Sequence, residues 1–90
     1  MTYEVVYTED ARRSLKKMDA AASGAIISWI DKNIVGTGDP RRSGKALTGD
    51  LAGVWRYRVG DFRIFARIED RRLVILVLDV RNRRNAHRRP

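Results

Sequence analysis

The residues of this chain best suited to chemistry are arginines placed at alternate positions in two short apolar segments. Arg56 and Arg58 lie two positions apart in the first segment. Arg63 and Arg67 flank Phe65 at the same kind of spacing in the second segment. Because side chains alternate between the two faces of a β-strand, each set would share one face of its strand. Neighbouring strands lie about 4.8 Å apart, so the guanidinium groups could converge within reach of one nucleotide.

The chemistry that this arrangement favours is the binding of phosphate. A guanidinium group is a planar fork that binds phosphate through two hydrogen bonds and stacks on bases. Like charges placed opposite each other destabilise a sheet, so four arginines without a carboxylate on these two strand faces indicate an anionic ligand. Phe65 among them could stack on a base or pack beneath the basic tail. An ordinary solvated sheet face is the alternative interpretation.

The end of the chain adds a second basic set. The last ten residues contain five arginines and no acidic residue, and the first three of these arginines are Arg81, Arg83 and Arg84. His87 is the only histidine of the chain. Histidine titrates near neutrality, which makes His87 the best candidate for proton transfer. A solvent-exposed histidine in a solvated basic tail is the simpler alternative.

Other kinds of site have no support in the sequence. One histidine and no cysteine cannot supply the usual ligands of a zinc site. The aspartates have no paired spacing suited to a metal-dependent nuclease, and the glycines do not form a phosphate-cradling loop. No serine lies in a nucleophile-elbow pattern. We therefore expect no metal and no other cofactor.

Charge and composition point to an acidic partner in the cytoplasm. The net charge is +8, with +2 in residues 1–45 and +6 in residues 46–90. A nucleic acid and an acidic protein would both fit such a surface. The absence of cysteine agrees with a reducing compartment. The longest apolar run, Leu73–Leu78, is far shorter than the roughly 20 residues of a membrane helix, and the N-terminus has no features of a secretory signal.

The elements that must position these residues follow one another quickly along the chain. Residues 3–7 are rich in β-branched and aromatic types and predict a strand, and Thr8 predicts the N-cap of a helix. A second helix over 20–35, with Gly36 as its C-cap, completes a helical hairpin. After a loop over 36–44, the remaining strands are predicted over residues 54–59, 62–68 and 73–80.

This order, strand-helix-helix-strand-strand-strand, predicts a single α+β domain over residues 1–90. The last three strands should form an antiparallel meander, and the first strand should join the sheet beside one of them. The apolar strand faces, which carry Trp55, Tyr57 and Ile64, would contact the helices. The arginines would then lie on the opposite face of the sheet.

Five segments form an ordered set: K-A-L-T-G (45–49), V-W-R-Y-R-V (54–59), G-D-F-R-I-F-A-R-I (60–68), V-I-L-V-L-D-V (74–80) and R-N-R-R-N-A-H (81–87). Together they resemble the RelE-type toxins of the RelE/ParE superfamily, which belong to type II toxin–antitoxin systems. The resemblance covers nearly the whole chain. It implies a toxin that cleaves messenger RNA in the ribosomal A site without a metal. The 2′-hydroxyl would attack the adjacent phosphate and leave 2′,3′-cyclic phosphate and 5′-hydroxyl ends.

The resemblance also implies roles for single residues. Arg56 and Arg58 match a basic pair that binds the RNA backbone and assists the leaving oxygen, and Arg63 matches an arginine that steadies the scissile phosphate. Arg83 matches an arginine that stabilises the transition state, and His87 falls where the family often has a tyrosine as general base. The residues expected to bind RNA around them are Lys45, Phe65, Arg67, Arg81 and Arg84.

Two departures from the family pattern keep alternatives open. Lysine is common where Arg56 and Arg58 stand, and arginine is a poor proton donor because its pKa exceeds about 12. The tyrosine is replaced by His87. The main alternative is a ParE-type toxin, which acts on DNA gyrase and is not a nuclease, and the second is an inactive RNA-binding relative. For the nuclease, the implied partners are the ribosome with its messenger RNA and an acidic RelB-like antitoxin, which forms a hetero-oligomer with the toxin.

Overall fold

A five-stranded sheet with two helices on one of its faces makes up the described part of the chain. The structure is a computed structural model, and it describes residues 1–82. The helices are α1 (Glu9–Lys17) and α2 (Ala20–Asn33), and a short 3-10 helix spans Gly49–Leu51. The strands are β1 (Glu4–Tyr7), β2 (Lys45–Ala46), β3 (Trp55–Val59), β4 (Phe62–Glu69) and β5 (Val74–Asn82). This order confirms the predicted α+β class, with β2 as an additional short strand.

Side-chain caps determine where the two helices begin. Thr8 is the N-cap of α1 as predicted, and its hydroxyl accepts a hydrogen bond from the Ala11 N–H at 3.1 Å. The Asp19 carboxylate caps α2 by accepting a hydrogen bond from the Ala22 N–H at 2.8 Å. This cap begins a new helix and so separates α1 from α2. Among residues 1–82, no helix is both long enough and apolar enough to cross a membrane.

The second helix ends earlier than the sequence predicted. Its C-cap is Ile34, and the expected cap Gly36 lies in the following turn with a φ of 77°. The Gly36 N–H donates to the Tyr3 carbonyl at 2.8 Å, and the Tyr3 N–H donates to the Thr37 carbonyl at 2.9 Å. Gly36 and Thr37 therefore form hydrogen bonds with Tyr3, the residue before β1, instead of continuing the helix.

The sheet is mixed rather than purely antiparallel. Its strand order is β1-β5-β4-β3-β2. The predicted antiparallel meander of β3, β4 and β5 is confirmed. β1 joins the sheet beside β5, as expected for a first strand, but it runs parallel to it, with Val5 opposite Ile75. The helical hairpin lies between β1 and the rest of the sheet in sequence, and it supplies chain long enough for such a crossover.

The hydrophobic core lies between the helices and one face of the sheet. Ile26 and Ile30 of α2 are fully buried against Tyr57, Ile64 and the apolar residues of β5. Trp29 lies at the margin of this core, with its ring centroid 5.6 Å from that of Tyr57. The helices therefore cover the face that the alternation pattern predicted, and they leave the arginines of β3 and β4 on the other face.

A β-bulge interrupts the pairing of β4 with β5. Phe65 pairs with Asp79 and the next residue, Ala66, pairs with Val77, so that Leu78 is the additional residue. Before the bulge, the odd-numbered Val77 is buried in the core, and after it the even-numbered Val80 is buried. The bulge thus inverts which face of the sheet each residue of β5 occupies.

Candidate nucleic-acid interface

Cross-strand register gathers the predicted arginines into two rows on one sheet face. In the first row, Arg58 of β3 lies opposite Arg63 of β4, which lies opposite Arg81 of β5. Residues directly opposite each other on neighbouring strands share a face and are close neighbours. Three guanidinium groups from three strands therefore form one line across the sheet.

The second row lies beside the first and adds an aromatic ring. Lys45 of β2 lies opposite Arg56, Arg56 lies opposite Phe65, and Phe65 lies opposite Asp79. We call the residues of these two rows the arginine face; its members are Lys45, Arg56, Arg58, Arg63, Phe65, Asp79 and Arg81. Arg67 lies two residues beyond Phe65 on the same strand, and its Nη1 lies close to Gly53. The predicted convergence of Arg56, Arg58 and Arg63 is thus present in the fold.

Three cations of this face, Arg56, Arg58 and Arg63, have no counter-charge within the described part of the chain. The Nε atoms of Arg56 and Arg63 are buried, and neither has a hydrogen-bond partner among the described residues. Desolvation lowers the pKa of Arg56, and the positive charges of Arg63 and Arg58 lower it further. Buried donors without partners are unfavourable, and an anion bound here would relieve that cost.

The arginine face also contains a carboxylate, that of Asp79 in β5, which the alternation pattern of β3 and β4 did not predict. Asp79 of β5 accepts a hydrogen bond from the Ser14 hydroxyl of α1 at 2.6 Å and another from the Val80 N–H at 2.8 Å. Its other oxygen accepts from Arg81 Nε at 3.0 Å. The register that brings Asp79 beside Phe65 depends on the bulge, which alternation alone could not indicate.

The loop before β2 reaches the face only because residue 44 is glycine. Gly44 has a φ of 90°, and a Cβ atom there would lie 2.4 Å from the Arg56 carbonyl oxygen and 2.5 Å from Trp55 Nε1. Trp55 Nε1 donates to the Ser43 carbonyl at 2.9 Å. This close approach lets Lys45 pair with Arg56 at the sheet edge. From the sequence, residue 44 is only the last position of the predicted loop over 36–44.

Tyr57 ties the same loop to the core. Its hydroxyl donates to the Pro40 carbonyl at 2.5 Å, and burial raises the pKa of Tyr57 to about 12. Arg41 forms two hydrogen bonds of 3.0 Å with Asp70, whose carboxylate also accepts from the Tyr3 hydroxyl at 2.6 Å. These contacts fix the loop over the sheet edge. They are long-range pairings that local sequence patterns do not indicate.

Three predicted site residues, Arg83, Arg84 and His87, lie outside the described residues, so their roles stay predictions. Within residues 1–82, no group of three histidine, cysteine, aspartate or glutamate side chains is placed to hold a metal ion. The positions that the structure does place among the predicted site residues are those of Lys45, Arg56, Arg58, Arg63, Phe65, Arg67 and Arg81.

Comparison with known proteins gives consistent similarities over nearly the whole chain. The model of the family described as the ParE toxin of the type II toxin–antitoxin system parDE matches residues 5–87. Toxin RelG of Mycobacterium tuberculosis is 33% identical over 89 residues, which are 99% of this chain and 100% of RelG.

Solved structures give the same result for the fold. The toxin–antitoxin complex RelBE2 from Mycobacterium tuberculosis contains a chain that is 30% identical with a TM-score of 0.78, covering 92% of this chain and 100% of that chain. The archaeal RelE–RelB complex from Pyrococcus horikoshii OT3 contains a chain that is 25% identical with a TM-score of 0.67, covering 92% and 97%. These matches cover most of the chain, so they describe the domain as a whole rather than one local motif.

Proposed function

This chain belongs to the RelE/ParE superfamily of toxins of type II toxin–antitoxin systems, and we propose that it is a ribosome-dependent endoribonuclease that cleaves messenger RNA. The observation that carries the proposal is the arginine face. Arg56, Arg58 and Arg63 are adjacent in register, have no ion pairs within residues 1–82, and include two buried Nε donors without partners. A solvated sheet face would not need to bury unpaired donors, whereas a site for RNA phosphate would use them.

The proposed reaction is a transfer within the RNA backbone. The ribose 2′-oxygen forms a bond to the adjacent phosphorus while the bond from phosphorus to the 5′-oxygen breaks. The 2′-hydroxyl loses its proton and the departing 5′-oxygen gains one, which gives 2′,3′-cyclic phosphate and 5′-hydroxyl ends. Negative charge grows on the phosphoryl oxygens in the transition state, and fixed guanidinium groups stabilise such charge best in a site with little water.

Each residue of the site receives a role in this scheme. Arg63, at the centre of its row, holds the scissile phosphate, and Arg56 and Arg58 bind the backbone and assist the leaving oxygen. Arg83 adds charge stabilisation, and His87 takes the proton from the 2′-hydroxyl. Phe65 lies among the cations and offers a ring on which a base can stack. The residues that bind the RNA around this centre are Lys45, Arg67, Arg81 and Arg84.

The ribosome and an antitoxin are the proposed partners. Arginine is a poor proton donor, so free RNA would be a poor substrate, and the ribosomal A site would supply the orientation that the toxin lacks. The two similar solved structures are complexes of RelE-type toxins with RelB-type antitoxins. An acidic RelB-like antitoxin would form a hetero-oligomer with this chain, neutralise its charge of +8 and block the arginine face.

The test is a cleavage map on ribosomes programmed with a defined messenger RNA, with chemical analysis of the new ends. We expect cuts in the A-site codon with cyclic-phosphate and 5′-hydroxyl ends, and little cutting of the same RNA without ribosomes. Intact messenger on ribosomes that bind the protein would contradict the proposal. The acidic partner is tested separately, by asking whether the protein encoded beside this toxin binds it and stops cleavage.

A ParE-type action on DNA gyrase is the second candidate, and the family model that matches the chain favours it. Such a toxin would act by binding protein and would have no use for unpaired donors on the sheet. Gyrase-linked DNA breaks without RNA cleavage would support this candidate, and RNA cleavage without effect on gyrase would exclude it.

A further inference from the structure

We propose that Asp79 is a positioning residue, held by Ser14 of α1, that fixes Arg81 as the third cation in the row with Arg58 and Arg63. The inference rests on the proposed function and deepens it. It assigns a purpose to the bulge in β5 and to a contact between helix and sheet.

The first step concerns which face Arg81 occupies. Ile75 and Val77 are fully buried against the helices. Strict alternation would therefore turn the other odd-numbered residues, Asp79 and Arg81, toward the helices as well. The bulge at Leu78 reverses the phase, Val80 enters the core, and Arg81 comes to lie opposite Arg63. Bulges commonly re-aim side chains beside active sites.

The second step concerns what holds the bulge. β1 ends at Tyr7, so within residues 1–82 the second half of β5 has no strand on that side. The start of α1 takes its place: the Thr8 N–H donates to the Val77 carbonyl at 3.0 Å, and the Thr8 hydroxyl donates to the Leu78 carbonyl at 2.8 Å. The N-cap of the helix is therefore bonded to the irregular part of the strand.

The third step concerns the carboxylate itself. Asp79 has only 24% of its side chain exposed, and one of its oxygens accepts from both Ser14 Oγ and the Val80 N–H. Its other oxygen holds Arg81 Nε at 3.0 Å. A carboxylate fixed by two further donors can orient a guanidinium group better than a mobile one.

The fourth step concerns what Arg81 has left to offer. Asp79 uses only Nε, and among residues 1–82 neither terminal nitrogen of Arg81 has a hydrogen-bond partner. The side chain is 61% exposed. Asp79, Arg81 and Ser14 also line a groove of about 500 Å³ between the helices and the end of β5. Within residues 1–82, Arg81 is thus held at Nε by Asp79, and its two terminal nitrogens are available to a phosphate at the edge of the arginine face.

The direction in which one substitution changes the cleavage rate distinguishes a positioning role from a purely electrostatic one. Asp79→Asn removes a negative charge beside an RNA site, so if Asp79 acted only through its charge the variant would bind RNA more tightly and cleave it faster. If Asp79 positions Arg81, the variant should bind at least as well but react about tenfold more slowly in single-turnover cleavage on programmed ribosomes. A faster or unchanged rate would overturn the proposal.

Further variants test whether the effect passes through Arg81. In an Arg81→Ala background, Asp79→Asn should cause no additional loss of rate, and an additional tenfold loss there would overturn the proposal. Ser14→Ala should lower the rate and Ser14→Thr, which keeps the hydroxyl, should restore it. Ser28→Ala, at an exposed serine of α2, is the matched control and should match the wild-type protein.

A spectroscopic measurement keeps this inference separate from the nuclease proposal. The Arg81 Nε–H resonance in the folded toxin should show a hydrogen-bonded shift in the wild-type protein and in Ser14→Thr. It should move to the position of a free guanidinium in Asp79→Asn. If the wild-type protein did not cleave RNA, the nuclease proposal would fail, but this resonance would still test whether Asp79 positions Arg81. An Arg81 signal that did not respond to Asp79→Asn would overturn the positioning role even in an active nuclease.

Discussion

At the scale of single residues, the arginine face is defined by donors that the protein does not satisfy itself. Arg56 and Arg63 each bury an Nε that has no partner in the described part of the chain, although they lie beside other cations. A protein that used these arginines only for solubility could expose them fully. We interpret the unpaired donors as prepared contacts for the phosphate oxygens of RNA, which makes the site pre-organised rather than formed by its ligand.

His87, the proposed general base, is tested by a single substitution. His87→Ala should slow single-turnover cleavage on programmed ribosomes by about 10²-fold or more, because proton transfer contributes on this scale. Binding to the ribosome should change little, since the substitution keeps all the lysines and arginines of the chain. The two quantities are measured by rapid-quench kinetics and by sedimentation with ribosomes. Equal losses in both would remove the base role from His87.

Tyr57 makes a prediction about stability and pH. Its pKa is raised from 10.0 to about 12 by burial, so the unfolded chain releases this proton at lower pH than the folded one. The contribution to stability is complete below pH 10 and is lost as the pH rises from 10 to 12, by an amount on the order of 2–3 kcal/mol. Tyr57→Phe should be less stable by about 1 kcal/mol at neutral pH, because the Pro40 carbonyl loses its donor.

Comparing the wild-type protein with Tyr57→Phe isolates the contribution of Tyr57 to the pH dependence of stability. Tyr3 and Tyr7 also have raised pKa values, Tyr3 chiefly through its hydrogen bond to Asp70 and Tyr7 through burial, and both titrate in the variant as well. Urea unfolding between pH 7 and 12 should therefore give a steeper loss of stability for the wild-type protein. Parallel curves would mean that Tyr57 contributes nothing to the alkaline transition.

At the scale of elements, alternation predicted the faces of β3 and β4 but not how the strands are joined. The side-chain period assigned Arg56 and Arg63 to one face because it is a local property of each strand. The pairing of β1 with β5 depends on residues about 70 positions apart, and its parallel direction has no local signal. β2 has only two residues, which is too short for any period, and it exists because the neighbouring loop is fixed to β3.

The bulge in β5 is a second feature that local alternation could not predict. LVILVLDV is apolar at nearly every position, so no pattern marks the residue at which the strand changes phase. Ser14 and Thr8 of the helical hairpin locate it, through contacts across more than 60 residues. The sequence alone therefore does not indicate that Asp79 lies beside Phe65 on the arginine face.

Gly44 tests how the loop before β2 supports the site. Gly44→Ala combines a φ of 90° with a Cβ atom 2.4 Å from the Arg56 carbonyl, so the loop must move. We expect a loss of stability of about 3 kcal/mol, since strain and a steric clash add to each other. Chemical unfolding measures the loss, and cleavage activity should fall as Lys45 leaves its place beside Arg56.

The control for that substitution is another glycine in the same fold. Gly24 lies within α2, and a Cβ atom there would have no neighbour within 4 Å. Gly24→Ala should therefore stabilise the protein by about 0.5–1 kcal/mol through its better helix propensity. A destabilisation by Gly44→Ala no larger than about 0.5 kcal/mol would show that the loop tolerates the change and that its close approach to β3 is not required.

At the scale of the whole molecule, the question is whether charge or its arrangement carries the activity. The chain has a net charge of +8, and basic side chains also cover the outer face of α1 and the turn before β5. Any polyanion would be attracted to such a protein, and that attraction would be screened by salt. Within residues 1–82, the arginine face alone combines cations from several strands in register with buried donors that lack partners. We propose that this arrangement, rather than net charge, cleaves RNA.

The most direct measurement compares two substitutions that change the net charge equally. Arg63→Ala removes the central cation of the row, and Arg71→Ala removes an exposed cation from the turn between β4 and β5. In single-turnover cleavage on programmed ribosomes, we predict that Arg63→Ala lowers the rate by about 10²-fold or more, as for loss of a transition-state donor, while Arg71→Ala stays close to the wild-type rate. Equal rates for the two variants would contradict the assignment of the cleavage site to the arginine face.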